Sequence, residues 1–170
     1  MKAVKFLAIF IFGIFLTTTV HAKDMKIAYV ELGGIFNNYQ KTKDYDTTLQ
    51  GESQGVQKQM DEMLTKIRDA QGKLAVLKED EKQKLQADID KQKNELLEFR
   101  NKKREELSKK FEDMRKEILI EIEKIVSDIA KKEDYTFILN DTVLLYGDKE
   151  LNITEKVLKV LNESYHPAKK

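Results

Sequence analysis

The chain has no cysteine and no tryptophan, one proline (Pro167) and two histidines. Without cysteine no disulfide can staple the fold, so its core or its association must hold it. Beyond residue 22 the only histidine is His166, which leaves no Cys/His or Ser/His catalytic pair and no ordinary His- or Cys-based zinc site. No GxxxxGK[ST] phosphate loop occurs, so nucleotide chemistry has no motif to rest on. An excess of either charge is also missing. Lys and Arg number 31 and Asp and Glu 30, a formal net charge of +1, whereas a dedicated nucleic-acid binder carries a clear basic excess. The longest apolar run, Phe6–Leu16, is short against the roughly 20 residues of a spanning helix.

That run lies between Lys2 and Lys5 on one side and "TTTVHA" on the other, the three parts of a secretory signal peptide. Cleavage is expected after Ala22; a retained membrane anchor is the alternative. Cleavage removes two lysines and no acid, leaving 29 basic and 30 acidic residues, a formal charge of −1.

What the chain has in abundance is charge at helical spacing; charged residues make up 36%. Val56, Met60, Met63, Ile67, Ala70, Leu74 and Leu77 step by alternate fours and threes, a heptad seam. "LKEDEKQKL" (77–85) interrupts it, and spacing resumes with Leu85, Ile89, Gln92, Leu96 and Phe99. "RNKKREE" (100–106) is a polar gap. Leu107, Phe111, Met114, Ile118, Ile122, Ile125 and Ile129 then follow an 11-residue repeat, which predicts a nearly straight section. We read residues 41–133 as a helical hairpin folded at 78–82, in preference to one unbroken rod, because the seam breaks near Leu77 and apolar density rises away from the break. At 1.5 Å per residue, 41–77 spans about 55 Å and 83–132 about 75 Å. Gly51, Gly55 and Gly72 each weaken the first arm by up to about 1 kcal/mol relative to Ala.

The two ends read differently. "KIAYVEL" (26–32) predicts a strand ended by Gly33-Gly34, with "IFNNYQK" beginning a helical turn. Tyr135–Leu139 and Val143–Tyr146 predict two more strands joined by Asn140-Asp141-Thr142, residues that tolerate tight-turn backbone. Asn152 with Glu155 suggests a capping box before a helix striped by Ile153, Val157, Leu158 and Leu161. Phe137, Leu139, Val143 and Leu145 cannot share a face with Ile138, Leu144 and Tyr146. A sheet apolar on both faces must be covered twice. The closing helix covers one face; the other is expected to meet other copies, which would also close the open edges of a small sheet.

"KIAYVELGGIF", the charged helical arm and "YTFILNDTVLLYGDKELNITEKVLKVLN" together resemble the Skp/OmpH family of periplasmic chaperones. Ile138–Asn140, Val143, Tyr146, Asn152-Ile153-Thr154 and Val157–Lys159 match its C-terminal pattern, with Asn152 in place of the usual Asp. The resemblance implies an α+β fold in which a long antiparallel helical hairpin, a coiled-coil arm, projects from a small β body, three copies forming a barrel hub. Residues 23–40 and 134–165 would make the body, 41–133 the arm and 166–170 a tail. It implies a homotrimer that holds unfolded outer-membrane β-barrel proteins in a cavity between its arms, without ATP, cofactor or enzymatic activity, in the periplasm. Tyr29, Phe137, Leu139, Val143, Leu145 and Tyr146 are the trimerisation residues on this reading.

The basic residues Arg100, Lys102, Lys103, Arg104, Lys109 and Lys110 fall where the apolar seam lapses. They are the candidates for binding client or an anionic lipid. Some family members are proposed to bind lipopolysaccharide through this arm, and Lys109 and Lys110 lie near those positions. The competing reading is a solvated face compensated by Glu105 and Glu106. Glu79-Asp80-Glu81 reads as a solvated helix tip before a cation site, and the N-x-[ST] triplets at Asn140, Asn152 and Asn162 carry no meaning in a bacterial periplasm. The rival functions are a structural coiled-coil spacer of the envelope and a membrane-anchored adaptor.

Overall fold

A computed structural model describes residues 25–167. The expected signal peptide and cleavage after Ala22 lie outside them, as do the last three residues. Strand β1 (Ile27–Val30) is followed by a short helix α1 (Leu32–Asn38), and then by α2 (Gln40–Lys73) and α3 (Glu79–Lys132), which run back to back as the arm. Strand β2 (Phe137–Asn140) and helix α4 (Thr154–Ser164) complete the body.

The arm is a hairpin, as its seam requires. Its turn lies at Leu74–Lys78, several residues before the expected 78–82. Leu74–Val76 tightens into a 3-10 turn. Leu77 and Lys78 then adopt extended backbone (ψ 155° and 160°), which reverses the chain without glycine or proline. Glu79, Asp80 and Glu81 therefore start a helix. They occupy the first turn of α3, where acids complement the positive end of the dipole. The seam residues are half-buried along the arm and fully buried at Ile67 and Ile89. Phe111, placed in the seam by the 11-residue spacing, is half exposed instead. By length α2 spans about 51 Å and α3 about 81 Å.

The contiguous core lies at the arm's base. Ala28, Val30, Ile35 and Tyr39 pack there with Ile118, Ile122 and Ile129 of α3 and with Ile153, Val157 and Leu161 around α4. Asp134 takes a left-handed conformation (φ 58°) just past α3, and Tyr135 N–H donates to Ala130 O at 3.0 Å, a helix-terminating geometry that turns the chain into β2.

The body corrects four expectations. It has two strands, and β1 pairs in parallel with β2 in the register Ile27↔Phe137 to Val30↔Asn140. The expected antiparallel hairpin with Val143–Tyr146 does not form within the chain. Asn140 Oδ1 accepts from Thr142 N–H at 3.3 Å and opens a 3-10 turn over Asp141–Val143. This local side-chain bond diverts the backbone from a return path along β2. Leu144 is extended (φ −103°, ψ 132°) but lies in no strand. Gly33 and Gly34 are inside α1, whose first turn is closed by Ile35 N–H to Glu31 O at 2.9 Å, so they do not end the strand by a turn. The capping box is also displaced. Helix α4 begins at Thr154 with Ile153 at the cap, and Asn152 Oδ1 accepts from Thr154 N–H at 2.9 Å. Asn152 Nδ2 donates to Glu31 Oε1 and Thr154 Oγ1 accepts from Glu31 N–H, both at 2.8 Å. "Asn-Ile-Thr" thus clasps the end of β1 to the start of α4.

Candidate functional site

Two surfaces stand out, one on the body and one on the arm. On the body, Phe137, Val143, Leu145 and Tyr146 are 54%, 71%, 108% and 83% exposed. Ile27 and Leu151 are exposed nearby in the sequence of body elements. A chain that buries ten residues in one core yet leaves this many large apolar side chains in water presents the kind of surface that marks an association site. Tyr29 and Leu139 are only half exposed. The Tyr29 ring lies under Gly147, where an added Cβ would stand 2.7 Å from its Cε1. Leu139 lines an apolar groove of about 290 Å³ with Val30, Leu119, Val126 and Ile138. The structure thus places four of the six expected hub residues in the open and two against the body.

The arm divides the basic candidates. Lys103 and Lys110 face the other helix across the polar gap in the seam. Lys103 Nζ donates to Glu106 Oε2 at 2.6 Å and stands 6.0 Å from the centre of the Phe99 ring, and Lys110 pairs with Glu52 of α2. The hydrogen bond from Lys103 holds Glu106 below the usual carboxylate range. Glu106 is therefore spent on Lys103. Arg100, Lys102, Arg104 and Lys109 are exposed and make no ion pair among the described residues. Arg104 and Lys109 border a shallow surface depression with Asn101, Glu105 and Ser108.

The sequence spacing hid one relation. Lys93, Leu97, Arg100, Arg104, Phe111 and Arg115 recur at three-, four- and seven-residue steps, one flank of α3. Leu97 and Phe111 are each 46% exposed on it, so this flank joins exposed apolar side chains to cations. Phe111 was legible as apolar at helical spacing; its rotation out of the seam was not.

Among the described residues no cluster of three or more His, Cys, Asp or Glu side chains could hold a metal ion. No described helix is long and apolar enough to cross a membrane.

No curated protein matches the chain. Among solved structures it is similar to a candidate outer membrane chaperone (OmpH-like) from Caulobacter crescentus CB15, at 11% identity, with a TM-score of 0.77 over 86% of this chain and 89% of that one. At that identity the likeness concerns the fold, a long helical hairpin on a small strand-bearing body. A family model described as outer membrane protein (OmpH-like) matches residues 26–161, which takes in the whole arm, both strands and most of α4. By that match, the chain belongs to the OmpH-like outer membrane protein family.

Proposed function

We propose that the mature protein is an ATP-independent holdase of the periplasm, a homotrimer whose arms enclose unfolded outer-membrane β-barrel proteins and keep them from aggregating. The observation that carries this is the body's exposed apolar surface beside a two-stranded sheet. Such a sheet is marginal alone, and association closes its edges. The segment Leu144–Tyr146, which lies in no strand, supplies backbone for that closure. A trimer hub sets three arms side by side, each bringing the Leu97/Phe111 flank and its cations to the space between them. Family membership and the solved OmpH-like relative support the same reading, as does the secretory pattern of residues 1–22.

The test is a purified-protein assay in which an unfolded barrel protein is diluted from denaturant with and without the chain. Soluble client in stoichiometric amounts, with no nucleotide added, is the expected result. A stable trimer that leaves client aggregation unchanged would favour the spacer reading. Anionic lipid, including lipopolysaccharide, is the further partner we assign to Arg100, Lys102, Arg104 and Lys109. Reversing these four to Glu should abolish binding to anionic vesicles. On a holdase dominated by apolar contacts and confinement, client affinity should change by less than about tenfold. Intact mass of the exported protein should show a chain beginning at Lys23.

A further inference from the structure

Where α2 leaves the body, Lys41 is buried, with 10% of its side chain exposed. Its ammonium donates to Glu117 Oε1 at 2.7 Å and to Glu121 Oε1, one turn further along α3. The second oxygen of each carboxylate is also occupied. Tyr45 OH donates to Glu117 Oε2 at 2.8 Å, and Tyr39 OH donates to Glu121 Oε2 at 3.0 Å. Every carboxylate oxygen of the pair is thus held from α2 or the residue that precedes it.

The network continues into α4. The Tyr39 ring meets Tyr165 edge-on, 5.8 Å between centres. Tyr165 OH donates to Asp44 Oδ2 at 3.0 Å, and Gln40 N–H donates to Asn162 Oδ1 at 2.9 Å. An α4 side chain therefore satisfies one of the amides that the first turn of α2 leaves free.

Burying an ammonium against two part-exposed carboxylates gains little stability over apolar side chains of the same volume, because desolvation of the lysine offsets the attraction. Apolar contacts, however, are not directional. If α2 slid or rolled against α3, an apolar trio would find new neighbours at little cost, whereas each of these four bonds would have to break first. We propose that Lys41 is a positioning residue. With Glu117 and Glu121 it locks the direction in which the arm leaves the body, and Asn162 and Tyr165 tie that lock to α4, so that the body sets the arm's angle. The inference does not depend on what the arms hold.

The lack of cysteine makes the test direct. Spin labels are placed on cysteines introduced at Gln59 of α2 and Lys159 of α4, both exposed, in full-length mature protein diluted with unlabelled chain. Lys41→Met with Glu117→Gln and Glu121→Gln removes all charge and keeps an acceptor for each tyrosine. The expected result is an unchanged thermal midpoint with a broadened distribution of label distances. An unchanged midpoint with a distribution as narrow as wild type would overturn the lock, since packing alone would then set the angle. Asn162→Ala with Tyr165→Phe touches only the α4 side and leaves the buried core residues and the Tyr165 ring in place. It should broaden the same distribution, and no broadening would overturn the tie to α4.

Discussion

Glu117 carries a pH signature that separates the lock from ordinary packing. Hydrogen bonds from Lys41 and then Tyr45 hold its carboxyl below the usual carboxylate range. For Lys41 burial pulls downward, but the bonds to Glu117 and Glu121 outweigh it and raise the ammonium above the ordinary lysine range. The groups facing Glu117 are Lys41 and Tyr45 from α2, with Glu121 beside it on α3. A depressed acid contributes stability above its unfolded pKa and loses it as pH falls through the folded value. A raised lysine contributes below its unfolded pKa and loses it only as pH rises through the folded value. The lock is therefore intact from about pH 5 to about pH 10. Thermal midpoints of wild type and Glu117→Gln should differ by a constant amount across that window, and the difference should shrink as pH falls below the ordinary carboxylate range; a difference that does not change with acidification would remove Glu117 from the network. Two glycines give a paired prediction at the same scale. Gly147→Ala drives a methyl into the Tyr29 ring and should cost about 1–3 kcal/mol by denaturant unfolding. Gly51→Ala meets open space in mid-helix and should stabilise by up to about 1 kcal/mol.

Helices and strands differ in how much of their placement is local, and the sequence was legible to that extent. The arm's seam needs only periodicity, so Ile67 and Ile89 could be read as inward, and they are buried. The turn at Leu74–Lys78 has no glycine or proline to announce it, so the break in the seam locates it only to within a few residues. Asn140 opens the turn its residue type predicts, whereas Asn152 stands one residue before the helix cap, which is Ile153. Their side-chain bonds to Thr142 and Thr154 nevertheless shifted or cancelled the elements expected around them. The direction and register in which β1 meets β2 could not be read, because β2 lies beyond the whole arm. Lys41 was invisible for a related reason: pairing it with Glu117 and Glu121 requires the register between α2 and α3, which two loosely patterned seams do not fix. The same thin seams predict uneven local stability. Hydrogen exchange should be slowest over Ile118–Ile129 and Val157–Leu161, which share the core, and fastest in the outer arm around residues 70–105. Uniform protection along α3 would contradict the core's placement at its base.

For the whole molecule, assembly should belong to the body alone. Deleting residues 57–106 and bridging the cut keeps Val56 near Leu107, which border the same groove, and spares Ile118, Ile122 and Ile129. Light scattering of this armless chain should still give three chains, and a monomer would refute the hub. Phe137→Asp should instead dissociate the intact protein, since a charge in that interface would lie buried and unpaired. The parallel pairing of β1 with β2 has one more consequence, and it concerns time. The first strand is made early and its neighbour comes after residues 31–136, so β1 waits unpaired for nearly the whole of synthesis. Closing so long a loop would be slow if the loop were a coil. The α2–α3 hairpin removes that difficulty, because its contacts are local about the tip and can zip from there, carrying the two strands to one end as it finishes. The arm is thus also the folding path of the body, and a chain whose arm is prevented from zipping should reach the end of translation with its first strand still seeking a partner.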